Sequence, residues 1–145
     1  GDAQLTISQT LQLSGVVVVT TPNELALIDA VKAIAMFQKV GVPILGIVEN
    51  MSMHICSKCG HTEHIFGAGG GEKMCADYNV ELLGALPLDI RIREHSDSGR
   101  PSIIAEPDSG IAEAYRMIAR RVAAKIANLN KDYSDVFTQI IMEDN

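Results

Sequence analysis

Two uninterrupted apolar runs organise the polarity pattern: Val16-Val17-Val18-Val19, between Gly15 and Thr20-Thr21-Pro22, and Pro43-Ile44-Leu45-Gly46-Ile47-Val48. β-branched runs of this length, bounded by glycine and proline, predict strands covered on both faces, as in a parallel sheet. Between them, Asn23-Glu24 opens a helix to about Val40. Leu27, Ala30, Val31, Ile34 and Phe37 share one face, Asp29, Lys32 and Lys39 share another, and Gly41 stops it. A third strand is expected over 80–88, with a turn after it. Shorter helices are expected over 3–13, 72–78 and 90–98, and an extended piece at Ile103-Ile104-Ala105. Ser109 can cap a last helix to about Leu129, with Ile111, Tyr115, Ile118, Val122 and Ile126 as its buried stripe.

This order is an α/β pattern around a parallel sheet. Three strands are few for an independent α/β domain. The chain also opens on Gly1-Asp2-Ala3-Gln4 with no start methionine. Both features suggest half of a larger fold, covering residues 1–130, followed by an acidic tail, 131–145, either a short helix or disordered.

Composition narrows the function classes. With 145 residues the chain can bury a real core, and 47% hydrophobic with 21% charged residues is ordinary for a soluble domain. A net charge of −6 without a basic run argues against nucleic acid as a partner. No apolar run approaches the ~18 residues of a membrane span. Three cysteines, two of them in Cys-x-x-Cys, form no disulfide framework and suggest a reducing, cytoplasmic compartment.

The candidate chemistry sits after the second strand, in Asn50-Met51-Ser52-Met53-His54-Ile55-Cys56-Ser57-Lys58-Cys59-Gly60. Thiolates are soft ligands for zinc, copper(I) or iron, and a tight turn aims both sulfurs at one metal. Two thiolates are half a shell. The other half has three possible sources. His61 and His64 follow at once, although one residue between the halves is far shorter than zinc-finger spacing. Cys75 lies in a helical run and reads better as a core residue. A second copy of the chain would supply two more thiolates, enough for a [4Fe–4S] cluster in a homodimer. A dithiol redox pair remains a further use, as does a structural zinc site.

Asn50 and the Pro87-Leu88-Asp89 turn lie at carboxyl ends of strands, where α/β sheets bind ligands. Asn50 offers a donor and an acceptor suited to a base edge, or it ties down its own turn. The stretch Gly67-Ala68-Gly69-Gly70-Gly71-Glu72-Lys73 is not a phosphate loop. Glu72 replaces the glycine before lysine, and Met74 stands where a magnesium-binding hydroxyl belongs. It forms either an anion nest or a close passage under the cysteine loop.

Several segments together carry a family resemblance. They are Gly1-Asp2-Ala3-Gln4-Leu5-Thr6; Val48-Glu49-Asn50-Met51-Ser52 with Cys56-x-x-Cys59-Gly60; Ile65-Phe66-Gly67 with Gly69 to Lys73; Leu83-Gly84-Ala85-Leu86-Pro87-Leu88-Asp89 with Ile92-Arg93; and Asp97-Ser98-Gly99-Arg100-Pro101. Over about residues 1–128 the chain resembles the C-terminal half of an Mrp/ApbC-type iron–sulfur cluster carrier, a MinD-like P-loop ATPase. The resemblance implies α-β-α layers. It also implies a labile [4Fe–4S] cluster held by Cys56 and Cys59 and bridged between two subunits, with delivery to apo iron–sulfur proteins alongside the cluster assembly machinery. Asn50, Pro87 and Asp89 would match the family's adenine pocket, and Asp2 the end of its switch segment. ATP and magnesium would serve the full-length protein, a weak ATPase. The family's phosphate-binding motif is absent from this sequence, so no residue here is assigned a catalytic role. Zinc in the same thiolates, giving a structural dimer, and a MinD/ParA-type positioning ATPase are the alternatives.

Overall fold

In the computed structural model, backbone is described for residues 2–142 and side chains for residues 2–129. The elements are α1 (Asp2–Thr10), β1 (Val16–Thr20), α2 (Glu24–Lys39), β2 (Ile44–Glu49), β3 (His54–Ile55), β4 (Thr62–Glu63), α3 (Gly70–Tyr78), β5 (Leu82–Ala85), α4 (Ile90–Asp97), α5 (Ser102–Ala105) and α6 (Gly110–Met142). The apolar runs do become parallel strands, in the order β1-β2-β5.

β2 is the central strand, and its alternation builds both halves of the core. Ile47 turns to the side of α2 and α3, where it packs with Val18, Ala30, Ile34, Met74 and Cys75. Val48 turns to the side of α6, with Leu83 and Leu86 beside it and Tyr115, Ile118 and Val122 against them. A strand with no polar side chain from Ile44 to Val48 therefore needs helices on both faces, and the result is three layers. Helix boundaries follow the expected signals. The Asn23 side chain accepts from Ala26 N at 2.9 Å to cap α2, and Ser109 Oγ accepts from Ala112 N at 3.1 Å to cap α6. Gly41 follows α2 at φ +74°, the left-handed region that suits glycine.

Four local expectations change. The third strand is shorter, Leu82–Ala85, because Val80 N is taken by Cys75 O at the end of α3. Ile103-Ile104-Ala105 is helical, since Pro101 starts a turn in which Ile104 N and Ala105 N both reach Pro101 O. α1 ends at Thr10 and buries none of its residues, so Ile7 and Leu11 stay exposed. α6 passes the stop expected near Leu129 and continues to Met142, with no glycine or proline after Gly110 to end it. The acidic end, Glu143 and Asp144, lies outside the described residues.

Candidate metal centre

The cysteines stand on an excursion that leaves β2 and returns at α3. β3 and β4 pair antiparallel, His54 with Glu63 and Ile55 with Thr62, which makes a short hairpin with the Cys-x-x-Cys at its tip. Cys56 N donates to His61 O at 2.9 Å, and Gly60 N donates to Cys56 O at 2.8 Å. Gly60 completes that turn at φ +71°, a conformation other residues adopt at a cost. The hairpin was not foreseen, because two-residue strands carry too little alternation to read.

This turn aims backbone at sulfur. The N–H groups of Lys58 and then Cys59 donate to the Cys56 thiol, the Cys59 thiol adds a further bond, and together they hold Cys56 below the ordinary thiol range. Amide bonds to a sulfur favour its anion, the form that binds metal. Cys56 is half-buried and Cys59 exposed. Cys75 is the opposite case. It is buried in the core on α3, and burial, then the charges of Glu49, Glu72 and Glu81, push its thiol up. Alkylation by iodoacetamide at pH 7–8 should therefore mark Cys56 first and spare Cys75. Peptide mass mapping checks this order, and Cys75 reacting as fast as Cys56 would contradict it.

The histidines do not complete a site with the cysteines. His64 Nδ1 lies 3.0 Å from Ser52 O, His61 Nε2 lies 3.8 Å from Glu63, and His54 Nδ1 lies 3.1 Å from Leu88 O. Among the described residues no three His, Cys, Asp or Glu side chains form a metal-holding group. The pair remains half a shell. His95 Nδ1 lies 3.0 Å from Ser102 Oγ, linking α4 to α5 away from the cysteines.

The expected adenine residues are placed in two clefts. Asn50 lines a groove of about 470 Å³ with Thr20, Thr21 and Gln4. Its Oδ1 accepts from Met51 N at 2.9 Å, so it does tie down its own turn, at a Met51 with φ 55°. Pro87 and Asp89 line a cleft of about 710 Å³ that also reaches Cys56. The Asp89 carboxylate caps α4 through Arg91 N at 2.9 Å and pairs with the Arg91 guanidinium at 2.7 Å, which holds it below the usual carboxylate range.

The glycine stretch is not open to phosphate. Gly71 N at the start of α3 donates to Glu49 Oε2 at 2.7 Å, so a carboxylate already occupies the helix N-terminus. A Cβ on Gly71 would fall 2.6 Å from that oxygen. The glycines serve close passage. Magnesium nucleotide phosphates would meet a negative group here, and these residues do not fit them. Glu49 is the residue sequence reasoning missed. Its one signal was a charge at the end of an otherwise apolar strand.

Comparison with known proteins agrees with this fold. A ParA family model described as NUBPL iron-transfer P-loop NTPase matches residues 1–123. The "iron-sulfur cluster carrier protein" of Haemophilus influenzae is 56% identical over 126 residues, 87% of this chain and 34% of that protein. The mouse "iron-sulfur cluster transfer protein NUBPL" is 47% identical over 126 residues, 87% of this chain and 40% of that protein. The chain thus spans about a third to two fifths of the length of these relatives. Among solved structures, a nucleotide-binding protein of Archaeoglobus fulgidus in complex with ADP matches with TM-score 0.65 and 35% identity, over 78% of this chain and 45% of that one. The septum site-determining protein MinD of Pyrococcus horikoshii, complexed with Mg-ADP, matches at TM-score 0.58 and 29% identity, over 73% and 40%. With most of its length matched by the family model and its sheet by these structures, the chain belongs to the NUBPL iron-transfer P-loop NTPase family.

Proposed function

We propose that this chain is the cluster-binding part of an iron–sulfur cluster carrier, and that two copies hold one labile [4Fe–4S] cluster through Cys56 and Cys59 of each. The observation that carries this reading is the hairpin tip: two accessible thiols, one of them already biased to its anion, with no third ligand among the described residues. Thiolates of a second copy complete the four that such a cluster takes. Met51, Ile55, Ile65 and Phe66 on the same excursion are exposed, and this apolar collar suits a contact that excludes water around the cluster. The relatives named as carrier and transfer proteins support the same role.

Delivery is ligand exchange. Thiolates of an apo iron–sulfur protein replace Cys56 and Cys59 at iron one after another, and no electrons are required. A loop position and an exposed Cys59 make that exchange accessible, where a buried closed site would store the cluster. No helix among the described residues is long and apolar enough to cross a membrane. The working compartment is reducing, as free thiols require, and we place it in the cytoplasm. Reconstituted chain mixed with an apo ferredoxin should pass its cluster within minutes, read as the acceptor's absorbance after separation. An acceptor that gains cluster only at the rate given by free iron and sulfide would contradict the carrier reading.

In the longer protein, ATP would meet Asn50 and the Pro87 to Asp89 turn at its adenine end, with phosphates and magnesium held by residues outside this sequence. Purified chain should accordingly release phosphate from ATP at the buffer rate. Release proportional to its concentration would contradict this.

A further inference from the structure

We infer that Glu49 is the positioning residue of the cysteine pair: one buried carboxylate clamps both ends of the excursion that carries Cys56 and Cys59. The inference deepens the carrier reading and rests on it for its cargo, although the clamp itself can be tested without cargo.

Glu49 ends the central strand β2 and is only 6% exposed. Its backbone is fixed by the sheet, with Glu49 O accepting from Leu86 N at 2.8 Å. Its Oε1 accepts from Ser52 Oγ at 2.7 Å, where the excursion leaves, and its Oε2 accepts from Gly71 N at 2.7 Å, where the excursion returns. Both partners are themselves buried, Ser52 at 6%. None of the ion pairs among the described residues includes Glu49. A buried charge without a cation persists only when hydrogen bonds and an aligned dipole stabilise it, and here two bonds and the N-terminus of α3 do so. Gly71 has no Cβ because one would strike this carboxylate.

The clamp continues outward. Ser52 N donates to Leu86 O at 2.9 Å, His64 Nδ1 lies 3.0 Å from Ser52 O, and Gly67 N donates to His64 O at 3.1 Å. The two legs of the excursion are thus joined at its base, below the hairpin. What reaches the cysteines is a fixed base for a tip that is otherwise exposed. Releasing either bond lets one leg swing and spreads the positions of both sulfurs.

The test uses Glu49→Gln, which keeps size but loses one acceptor, and Ser52→Ala, which removes only the bond to the outgoing leg. Trypsin cleavage after exposed Lys58 is timed on cluster-free chain against cleavage after exposed Arg120 on α6. Cluster release to a ferrous chelator is timed on reconstituted chain. Loss of a hydrogen bond to a charged group should speed cleavage at Lys58 about tenfold in Glu49→Gln, with a smaller rise in Ser52→Ala and little change at Arg120. Cluster release should quicken in the same order. Equal acceleration at both sites means general unfolding and overturns the clamp, as does unchanged cleavage at Lys58. Wild-type chain that takes up no cluster refutes the carrier reading instead, and the protease result then still decides the clamp.

Discussion

Replacing Cys56 and Cys59 together by serine is expected to remove essentially all bound iron and sulfide and leave the fold standing. Serine is a poor soft-metal ligand, and each chain contributes only these two thiolates. Because the loss falls on both copies, all four ligands of a bridged cluster go at once. One cysteine changed in each copy removes two of four, and residual binding should drop more than tenfold. Neither side chain belongs to the core, so thermal stability should move by no more than about 0.5 kcal/mol. The internal control is Cys75→Ser. That thiol is buried among Met74, Ile47 and Val18, and a hydroxyl there should cost about 1–3 kcal/mol while cluster content stays at the wild-type level. Iron and sulfide assays beside melting curves separate the two behaviours. Cluster retained in the double variant would remove these cysteines from the centre.

The largest effect on stability is expected at Ile47. It is 0% exposed, on the middle strand, paired with Val18 of β1 and Leu82 of β5. Ile47→Ala leaves a cavity that the sheet cannot collapse without drawing both neighbours inward, and should cost about 2–5 kcal/mol. Against a usual total of about 5–15 kcal/mol, this brings the chain near unfolding. Two positions further along the strand lies Glu49, so a loosened β2 should also weaken cluster binding. Urea unfolding should show a lower midpoint at an unchanged slope. A shift below about 0.5 kcal/mol would contradict the place given to β2 at the centre of the core.

The parts of the structure legible in sequence are those with local causes. Val16 to Val19 and Ile44 to Val48 form strands as their β-branched runs suggest, but only the second is covered on both faces, since Val19 on the edge strand β1 stays 61% exposed. Asn23 and Ser109 cap as their residue types suggest. The cysteine pair was visible for the same reason, since ligand chemistry and spacing lie within four residues. Ile103-Ile104 misled because β-branching favours strands while Pro101 had already set a helical turn. The carboxylate of Glu49 was invisible because its meaning depends on Gly71, 22 positions away, and no periodicity links them. Asn50 was ambiguous on paper and is seen holding Met51, while Pro87 and Asp89 face the cleft beside Cys56. The hairpin under the cysteines was unreadable because its strands are too short to alternate.

The most direct test of the central claim is the amount of iron, acid-labile sulfide and zinc per chain after anaerobic reconstitution, read with the native mass. The account predicts about two irons and two sulfides per chain in a species of twice the chain mass. A monomer holding about one zinc and no sulfide would contradict it, and would place a closed structural site where a shared, transferable cluster is proposed.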